Sequence, residues 1–509
     1  MRHKAFLWLV LVILQLQHAT VARADCGLTQ TAWKHYFGAN TAAGFSAEDW
    51  RSTLRSGYPR GSNNAAISST IDPVRLDEVL AAHDWIHLQD GYNYRQQADV
   101  DAFFNAVRAD HGAAWRANAM QLSEAMIDGM ARSAACEQVA YWELGNEIYA
   151  GQPGATIGTW IAANQLPYPH PHSNYNDNPT HVERANDRGI LGYQIEYQMA
   201  LAVEAIRAAN ADAPANLRVP ILAPAATVSS VNGGWLQALM DYVIVGYEME
   251  LDGNGNPVIN FSKPLASSLA GQRFGDLIDL VNVHYVINAN GATIHSVMDN
   301  WLDATYSAHG VFHTEEGGIR AALEGRGGLA AMSSFPRIMD VWLGRGMTTE
   351  QVRTIYYASN DGPAGTRGTD ALAALDEFIP ADTTTLARRP GLISHPSVAI
   401  ESYAFEADNG NQRALFVLPA GSGIATLDHV DAQAAGWHNS QVNASVQLWN
   451  DSANPKQAAT VTQSLDGLSY RIDFASVNFT GINNEALAIF LQSSGESVAL
   501  FSDGFEVSE

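Results

Sequence analysis

Short apolar runs alternate with longer helical patterns between about residue 30 and residue 375 of this 509-residue chain. Such alternation is typical of βα units whose strands lie in one parallel sheet. The runs predict strands at 35–40, 85–88, 114–120, 139–144, 217–223, 277–285, 311–314 and 352–358. Since a (β/α)8 TIM barrel has this number of strands, the region predicts an α/β fold of that kind.

The pattern changes to period two from about residue 385, which favours antiparallel strands. Asp408-Asn409-Gly410 separates two such strands, and Asp466-Gly467 separates another two, as in β-hairpins. These signals predict a C-terminal antiparallel β-sandwich. We therefore expect a catalytic barrel over 25–380, the sandwich domain over 381–495 and a short tail over 496–509.

Residues 1–24 have the features of a secretory signal peptide. Arg2 and Lys4 precede the apolar run 5–16, and Ala22-Arg23-Ala24 has the form of a cleavage site. This run is shorter than the roughly 20 residues that a membrane-spanning helix needs. The sequence predicts a secreted or periplasmic protein without a membrane span.

The chain has two cysteines, Cys26 and Cys136. Two cysteines in an exported chain suggest one disulfide bond. Two free thiols are the alternative.

The composition excludes several classes of protein. With 47% hydrophobic and 16% charged residues, the chain is not intrinsically disordered. Its formal net charge of −24 argues against nucleic acid or an anionic membrane surface as a partner, because phosphate binding needs a basic face.

The apolar strand 139–144 is followed directly by Gly145-Asn146-Glu147. Gly145 permits an unusual backbone angle, and Glu147 offers a carboxylic acid where active sites of barrels form. A strand followed by a helix cap is the alternative, since Asn caps helices well. Glu143, four residues before Glu147, is expected deeper in the barrel as a paired structural carboxylate.

A second short strand, 311–314, ends in Glu315 and Glu316. Carboxylates on different strands can meet at the carboxyl face of a barrel, and hydrolysis of a glycosidic bond needs such a pair. The alternative is an exposed surface pair.

The strand before it ends in Asn282-Val283-His284-Tyr285. The Tyr285 hydroxyl could hold a nucleophilic carboxylate, and His284 could bind a sugar hydroxyl or a carboxylate. Aromatic packing at the barrel rim, with a satisfied histidine, is the alternative.

These segments resemble the retaining glycoside hydrolases of the large (β/α)8 clan that place two glutamates after strands four and seven. The resemblance is to the branch of α-L-arabinofuranosidases, β-xylosidases and β-glucuronidases, which carry a C-terminal β-sandwich. Residues 142–147 are similar to that branch's Glu-x-Gly-Asn-Glu strand, 282–285 to its sixth strand, and 314–315 to its strand-seven Thr-Glu.

The resemblance implies double displacement with Glu147 as the acid/base and Glu315 as the nucleophile. Glu316 is the fallback nucleophile and otherwise a substrate-binding residue. Asn146 is expected to hydrogen-bond the 2-hydroxyl of the sugar.

The implied activity is cleavage of O-glycosidic bonds in polysaccharides or oligosaccharides, with α-L-arabinofuranosidase-like specificity. A β-xylosidase, β-glucuronidase or endo-glycanase, and a carbohydrate-binding protein on an inactive barrel, remain alternatives. The implied double displacement requires no cofactor. No metal is expected either, because the spacing of His170, His172 and His181 fits no strict metal-ligand pattern.

Overall fold

The computed structural model describes strands and helices from both parts of the chain. The described residues are 37–40, 58–63, 85–90, 97–132, 139–145, 152–166, 190–227, 235–284, 310–316, 336–337, 339–340, 343–344, 352–356, 386–396, 400–407, 410–419, 426–433, 436–437, 440–449, 456–479 and 486–497. Residues 1–24, Cys26 and Cys136 lie outside them, so the signal peptide and the disulfide stay predictions. Within the described ranges, no helix has both the length and the apolar character that a membrane crossing requires.

The first part contains eleven described strands and five described α-helices. The strands are β1 (Phe37–Asn40), β2 (Tyr58–Asn63), β3 (Trp85–Asp90), β4 (Val139–Glu143), β5 (Ile221–Leu222), β6 (Ala226–Thr227), β7 (Tyr247–Leu251), β8 (Pro257–Pro264), β9 (Leu280–His284), β10 (Gly310–Glu316) and β11 (Val352–Tyr356). The helices are α1 (Gln97–Asp110), α2 (Ala113–Arg132), α3 (Gln152–Ala163), α4 (Ala200–Asp212) and α5 (Trp235–Met240).

Eight of these strands pair in parallel around a closed cycle. Its order is β1, β2, β3, β4, β5, β9, β10 and β11, and β11 pairs with β1 again. β6 adds a further parallel pair to β9, while β7 and β8 form a separate antiparallel hairpin. The structure thus confirms an α/β fold with parallel strands. The complete (β/α)8 barrel, with a helix after every strand, stays a prediction.

Two of the sequence expectations for this part need correction, and one strand was missed. The predicted strand 114–120 is wrong, because α2 runs through it as one helix of 20 residues. Its alanine, methionine, arginine and glutamine residues are strong helix formers. The Pro-, Asn- and Gly-rich composition of 151–182 predicts a loop after β4, yet the first part of this stretch forms α3. The strand β2 was not predicted, since its Pro59 and Gly61 are depleted in strands.

An aromatic cluster fills the core between α1, α3 and the helix that leads into α4. Trp160 is 1% exposed, and its ring centroid lies 4.8 Å from that of Phe104 and 6.0 Å from that of Tyr197. Tyr193 and Tyr197 stand 5.5 Å apart in the same cluster. This burial makes Trp160 a core residue.

The second part is antiparallel throughout its described strands. They are β12 (Leu386–Arg388), β13 (Ile393–Ser394), β14 (Ile400–Ala407), β15 (Gln412–Pro419), β16 (Thr426–Gln433), β17 (Ser440–Trp449), β18 (Lys456–Gln463), β19 (Ser469–Asn478) and β20 (Ala486–Ser497). They pair in the order β12, β14, β15, β20, β17, β18, β19, β16, β13. Both predicted hairpins form: β14 pairs with β15 around Gly410, and β18 pairs with β19 around Gly467. Each glycine has a positive φ, 69° and 70° respectively, as these turns require.

The strand β15 contributes side chains to two different apolar cores. Leu415 and Val417 pack with residues of β16 and β19 in one core. Phe416 and Leu418 belong to the other core, which also contains Met339 from the first part of the chain. Successive side chains of a strand point to opposite faces, so both faces of this sheet are covered.

Ion pairs join the same two parts of the chain. The Arg337 guanidinium donates to both carboxylate oxygens of Glu401, at 2.9 and 2.6 Å. Arg388 pairs with Asp340 in the same bidentate manner. This geometry favours a fixed contact between the residues around 337–340 and the sheet.

Candidate active site at the strand ends

The predicted site residues are divided between described and undescribed parts of the chain. Asn146, Glu147 and Tyr285 lie outside the described residues. Glu315 and Glu316 are the last two residues of β10, and His284 is the last residue of β9.

Gly145 bends the chain immediately before Asn146 and Glu147. Its φ of 120° lies in a region that residues other than glycine rarely adopt. The position of Gly145 after the apolar strand predicted such an unusual backbone angle. The backbone N–H of Leu144 donates to the carbonyl of Leu222, and that of Ala225 donates to the carbonyl of Gly145. The end of β4 is thus fixed against the segment that contains β5 and β6.

Glu143 and Asn282 meet across the strand that separates β4 from β9. Both side chains are fully buried, and the Asn282 amide donates to Glu143 Oε1 at 2.9 Å. Alternate strands of a barrel supply the side chains of one interior layer. The contact therefore places these two residues on the interior face, and it confirms Glu143 as a paired buried carboxylate.

The end of β10 is irregular where the two glutamates lie. His313 is level with Thr354 of β11, and Glu316 is level with Tyr356. Three steps along β10 thus match two steps along β11, so β10 contains one extra residue. Such bulges re-aim side chains and are frequent beside active sites.

The extra residue determines which of Glu315 and Glu316 has a register position on the interior face of the sheet. Phe312 is level with Asn282 of β9 and therefore occupies the interior face. Without the bulge, alternation would return Glu316 to that face. Thr354 and Tyr356 are two residues apart on β11, so they share one face of the sheet. Their partners His313 and Glu316 therefore also share that face, which is opposite to that of Phe312. The bulge thus gives the interior register position to Glu315.

His284 shares the interior phase of Asn282, since it lies two residues further along β9. Its side chain is fully buried, and its backbone is level with Thr227 of β6. The strand-end region therefore contains Glu143, Asn282 and His284, together with the backbone position of Glu315.

A second buried carboxylate, Glu196, lies in the helical layer and had no signal in the sequence. It belongs to the π-helical turn Ile195–Met199 before α4. It accepts hydrogen bonds from the Tyr242 hydroxyl at 2.8 Å and from the backbone N–H groups of Val245 and Gly246 at 2.6 and 2.9 Å. Burial raises its pKa to about 7, against the lowering effect of these three donors.

A third buried carboxylate, Glu248 of β7, is surrounded by basic side chains from other elements. His111 lies 3.1 Å from its Oε1, while Arg108 and Lys263 each lie 3.7 Å from its Oε2. The contacts of Arg108 and His111 fasten the β7–β8 hairpin to the end of α1 and to the turn after it. Glu196 and Glu248 therefore belong to the helical layer and its hairpin rather than to the strand ends.

A cavity of about 720 Å³ opens at the opposite end of the strands. It lies beside the amino ends of β5 and β9, where Arg207, Arg218, Asp276 and Asp279 line it. Active sites of barrels form at the carboxyl ends of the strands. We therefore do not assign the predicted chemistry to this cavity.

The chain is similar in structure to several glycoside hydrolases, at low sequence identity. A GH30 endoxylanase from Clostridium papyrosolvens is 11% identical, with a TM-score of 0.37, over 90% of this chain and 96% of the other. A family 51 alpha-L-arabinofuranosidase from Bifidobacterium longum is 10% identical, with a TM-score of 0.40, over 92% and 98%. A glucosidase from Croceicoccus marinus is 10% identical, with a TM-score of 0.38, over 90% and 96%.

No protein-family model matches the sequence. No curated protein sequence matches it either. At such identities and TM-scores, the structural similarities do not assign an activity to the chain.

Proposed function

We propose that this protein is a retaining glycoside hydrolase with Glu147 as its acid/base and Glu315 as its nucleophile. The substrate is a polysaccharide or oligosaccharide, and α-L-arabinofuranosidase-like specificity is our first choice. We also propose a signal peptide over 1–24, export from the cytoplasm, a catalytic barrel over 25–380 and a sandwich domain over 381–495.

The observation that supports the proposal best is the bond between Glu143 and Asn282. It brings the end of β4 and the end of β9 to one interior space, although the two residues are 139 positions apart in sequence. Glu147 follows Glu143 by four residues. Glu315 occupies the interior phase of the strand next to β9. Both proposed carboxylates thus follow strands that surround the same space.

The proposed reaction has two displacement steps. The Glu315 carboxylate attacks the anomeric carbon while Glu147 protonates the departing oxygen, which gives a covalent glycosyl–enzyme and a free alcohol. Glu147 then removes a proton from water, and the water oxygen displaces Glu315 from the anomeric carbon. Two inversions give net retention, for which the carboxyl groups need a separation of about 5–5.5 Å.

The first test uses aryl arabinofuranosides, xylosides, glucuronides and galactosides with the wild-type protein. For a substrate that is cleaved, Glu147→Gln and Glu315→Gln should each lower kcat/KM by about 10²–10⁴-fold or more. Glu316→Gln is the matched control, because Glu315 rather than Glu316 has the interior register position. Its decrease in kcat/KM should be at least tenfold smaller than that of Glu315→Gln. NMR of the first-formed anomer should show retention.

Azide rescue distinguishes the two roles. Glu315→Ala with azide should form a glycosyl azide of inverted configuration, since azide replaces the missing nucleophile. Glu147→Ala with azide should form one of retained configuration, because azide then attacks the glycosyl–enzyme. Full activity in both variants would contradict the assignment. Binding of oligosaccharides without hydrolysis of any substrate would favour a carbohydrate-binding protein.

A further inference from the structure

Two histidines and an aspartate meet on the β13–β16 edge of the antiparallel part. His395 directly follows β13, while Asp428 and His429 lie on β16. β13 pairs with β16 through Ile393 and Ser394, so the pairing brings His395 beside the two β16 residues. They belong to neither of the strands that carry the proposed catalytic glutamates.

The three side chains are close enough to share one ion. Potential ligand atoms, one from each side chain, all lie within 4.8 Å of one another. The rings of His395 and His429 are stacked with centroids 4.7 Å apart, and Asp428 Oδ1 lies 2.8 Å from His429 Nδ1. Ligands of a tetrahedral Zn²⁺ ion are roughly 3.4 Å apart, given bond lengths of about 2.0–2.1 Å. The ligand atoms would therefore have to approach one another by up to about 1.4 Å to bind one ion. Asp428 has room to move, since its side chain is 68% exposed.

The surrounding charges favour a cation. Asp431 is level with Ser394 across the β13–β16 pair, and Asp473 of β19 is level with His429. The only cation described beside them, Arg471, bonds Asp473 at 2.7 Å. Three carboxylates therefore face one guanidinium and two imidazoles.

We propose that His395, Asp428 and His429 bind one divalent transition-metal ion, for which Zn²⁺ is the best match. Two imidazoles and a carboxylate form a common zinc ligand set, and a water molecule completes four-coordination on the exposed side. The ion would fasten the two-residue strand β13 to β16 and so close the end of the sheet. Its role is structural, and the proposed hydrolysis does not require it.

The test is a calorimetric titration of the chelator-treated full chain with ZnCl₂. We expect one saturable equivalent, with affinity at least tenfold weaker in His395→Ala and in His429→Gln. Asp428→Asn should have a smaller effect, since Asn can still offer an oxygen. His111→Asn is the matched control, because it removes a partly exposed imidazole far along the chain; its affinity should equal that of the wild type.

Two further measurements make the outcome decisive. Equal Tm values for the metal-free variants and wild type would show that lost binding is not lost folding. Co²⁺ in place of Zn²⁺ should give the intense visible absorption of four-coordinate cobalt, and His395→Ala should abolish it. An unsaturable titration would overturn the proposal. So would full affinity in His395→Ala, or affinity that instead depends on His170, His172 and His181.

Discussion

The buried carboxylates of the parallel and antiparallel parts have hydrogen-bond partners at different distances along the sequence. In the parallel part, Glu143 is bonded to a residue 139 positions away, and Glu196 to one 46 positions away. In the antiparallel part, Glu406 is the one carboxylate that is buried among the described residues, and its partners Arg413 and Arg389 are seven and 17 positions away. The first part therefore depends on tertiary contacts to keep its acids buried, while the second uses a neighbouring strand.

This difference has a thermodynamic consequence. A buried acid whose donors come from distant segments loses them when the fold opens, so its pKa changes on unfolding. We expect the parallel part to carry most of the dependence of stability on pH. The antiparallel part should depend mainly on its apolar packing.

The largest expected effect is the loss of an aromatic side chain from the parallel part. Trp160→Ala should lower the free energy of unfolding by about 3–5 kcal/mol, because it leaves a cavity among rings from three segments. Urea unfolding measures this change. Phe261→Ala is the control, since Phe261 is 72% exposed and should change stability by less than about 0.5 kcal/mol. An unchanged stability with a raised KM would instead assign Trp160 to sugar binding.

The next largest effect is the pH dependence that Glu196 produces. Its folded pKa of about 7 lies above its ordinary value of 4.5, so the folded state holds the proton more tightly. The resulting stability is fully present below pH 4.5 and is lost as the pH rises towards 7, by about 3 kcal/mol in total. Unfolding of wild type and Glu196→Gln at several pH values should show this slope in the wild type only.

Tyr242→Phe is the companion variant for this experiment. It removes a hydrogen bond that lowers the pKa of Glu196, yet it keeps the carboxyl group. The loss of stability should then continue to a higher pH than in the wild type. Equal slopes in wild type and Glu196→Gln would place the pH dependence elsewhere and weaken the comparison between the two parts.

The smallest expected effect concerns the ion pair between the two parts. Arg337 and Glu401 are 21% and 33% exposed, so solvent screens much of their attraction. A double-mutant cycle with Arg337→Ala and Glu401→Gln should give a coupling free energy of about 1 kcal/mol. A coupling near zero would show that apolar packing alone joins the parts.

Sequence patterns predicted the antiparallel part well because its signals are local. The Asn-Gly and Asp-Gly turns determine the hairpins β14–β15 and β18–β19, and alternation marks the strands beside them. In the parallel part, the predicted strand 217–223 contains β5, but β2, with a proline and a glycine, has no local strand signal. β2 exists because β1 and β3 pair with it, and no local pattern predicts that.

The sequence proposes the residues of the candidate site but does not predict how the described ones are arranged. Gly145 could be identified from its sequence position, and its φ of 120° agrees. The Glu143–Asn282 bond and the bulge before Glu316 depend on the register between strands far apart in sequence. Register is set by the assembled sheet, so no local pattern predicts the register positions of Glu315 and Glu316.

The double coverage of the sheet around β15 has a consequence for folding. When one face of a strand is exposed to solvent, its register is determined by the alternation of polar and apolar residues, since a shift by one residue would expose the apolar side chains. Both faces of β15 pack against apolar cores, so a shift by one residue would move each side chain from one apolar core to the other. The ion pair between Glu406 and Arg413, which stand directly opposite each other, is the feature that such a slip would separate. The buried ion pair therefore helps to determine the register between β14 and β15, which apolar packing alone does not specify.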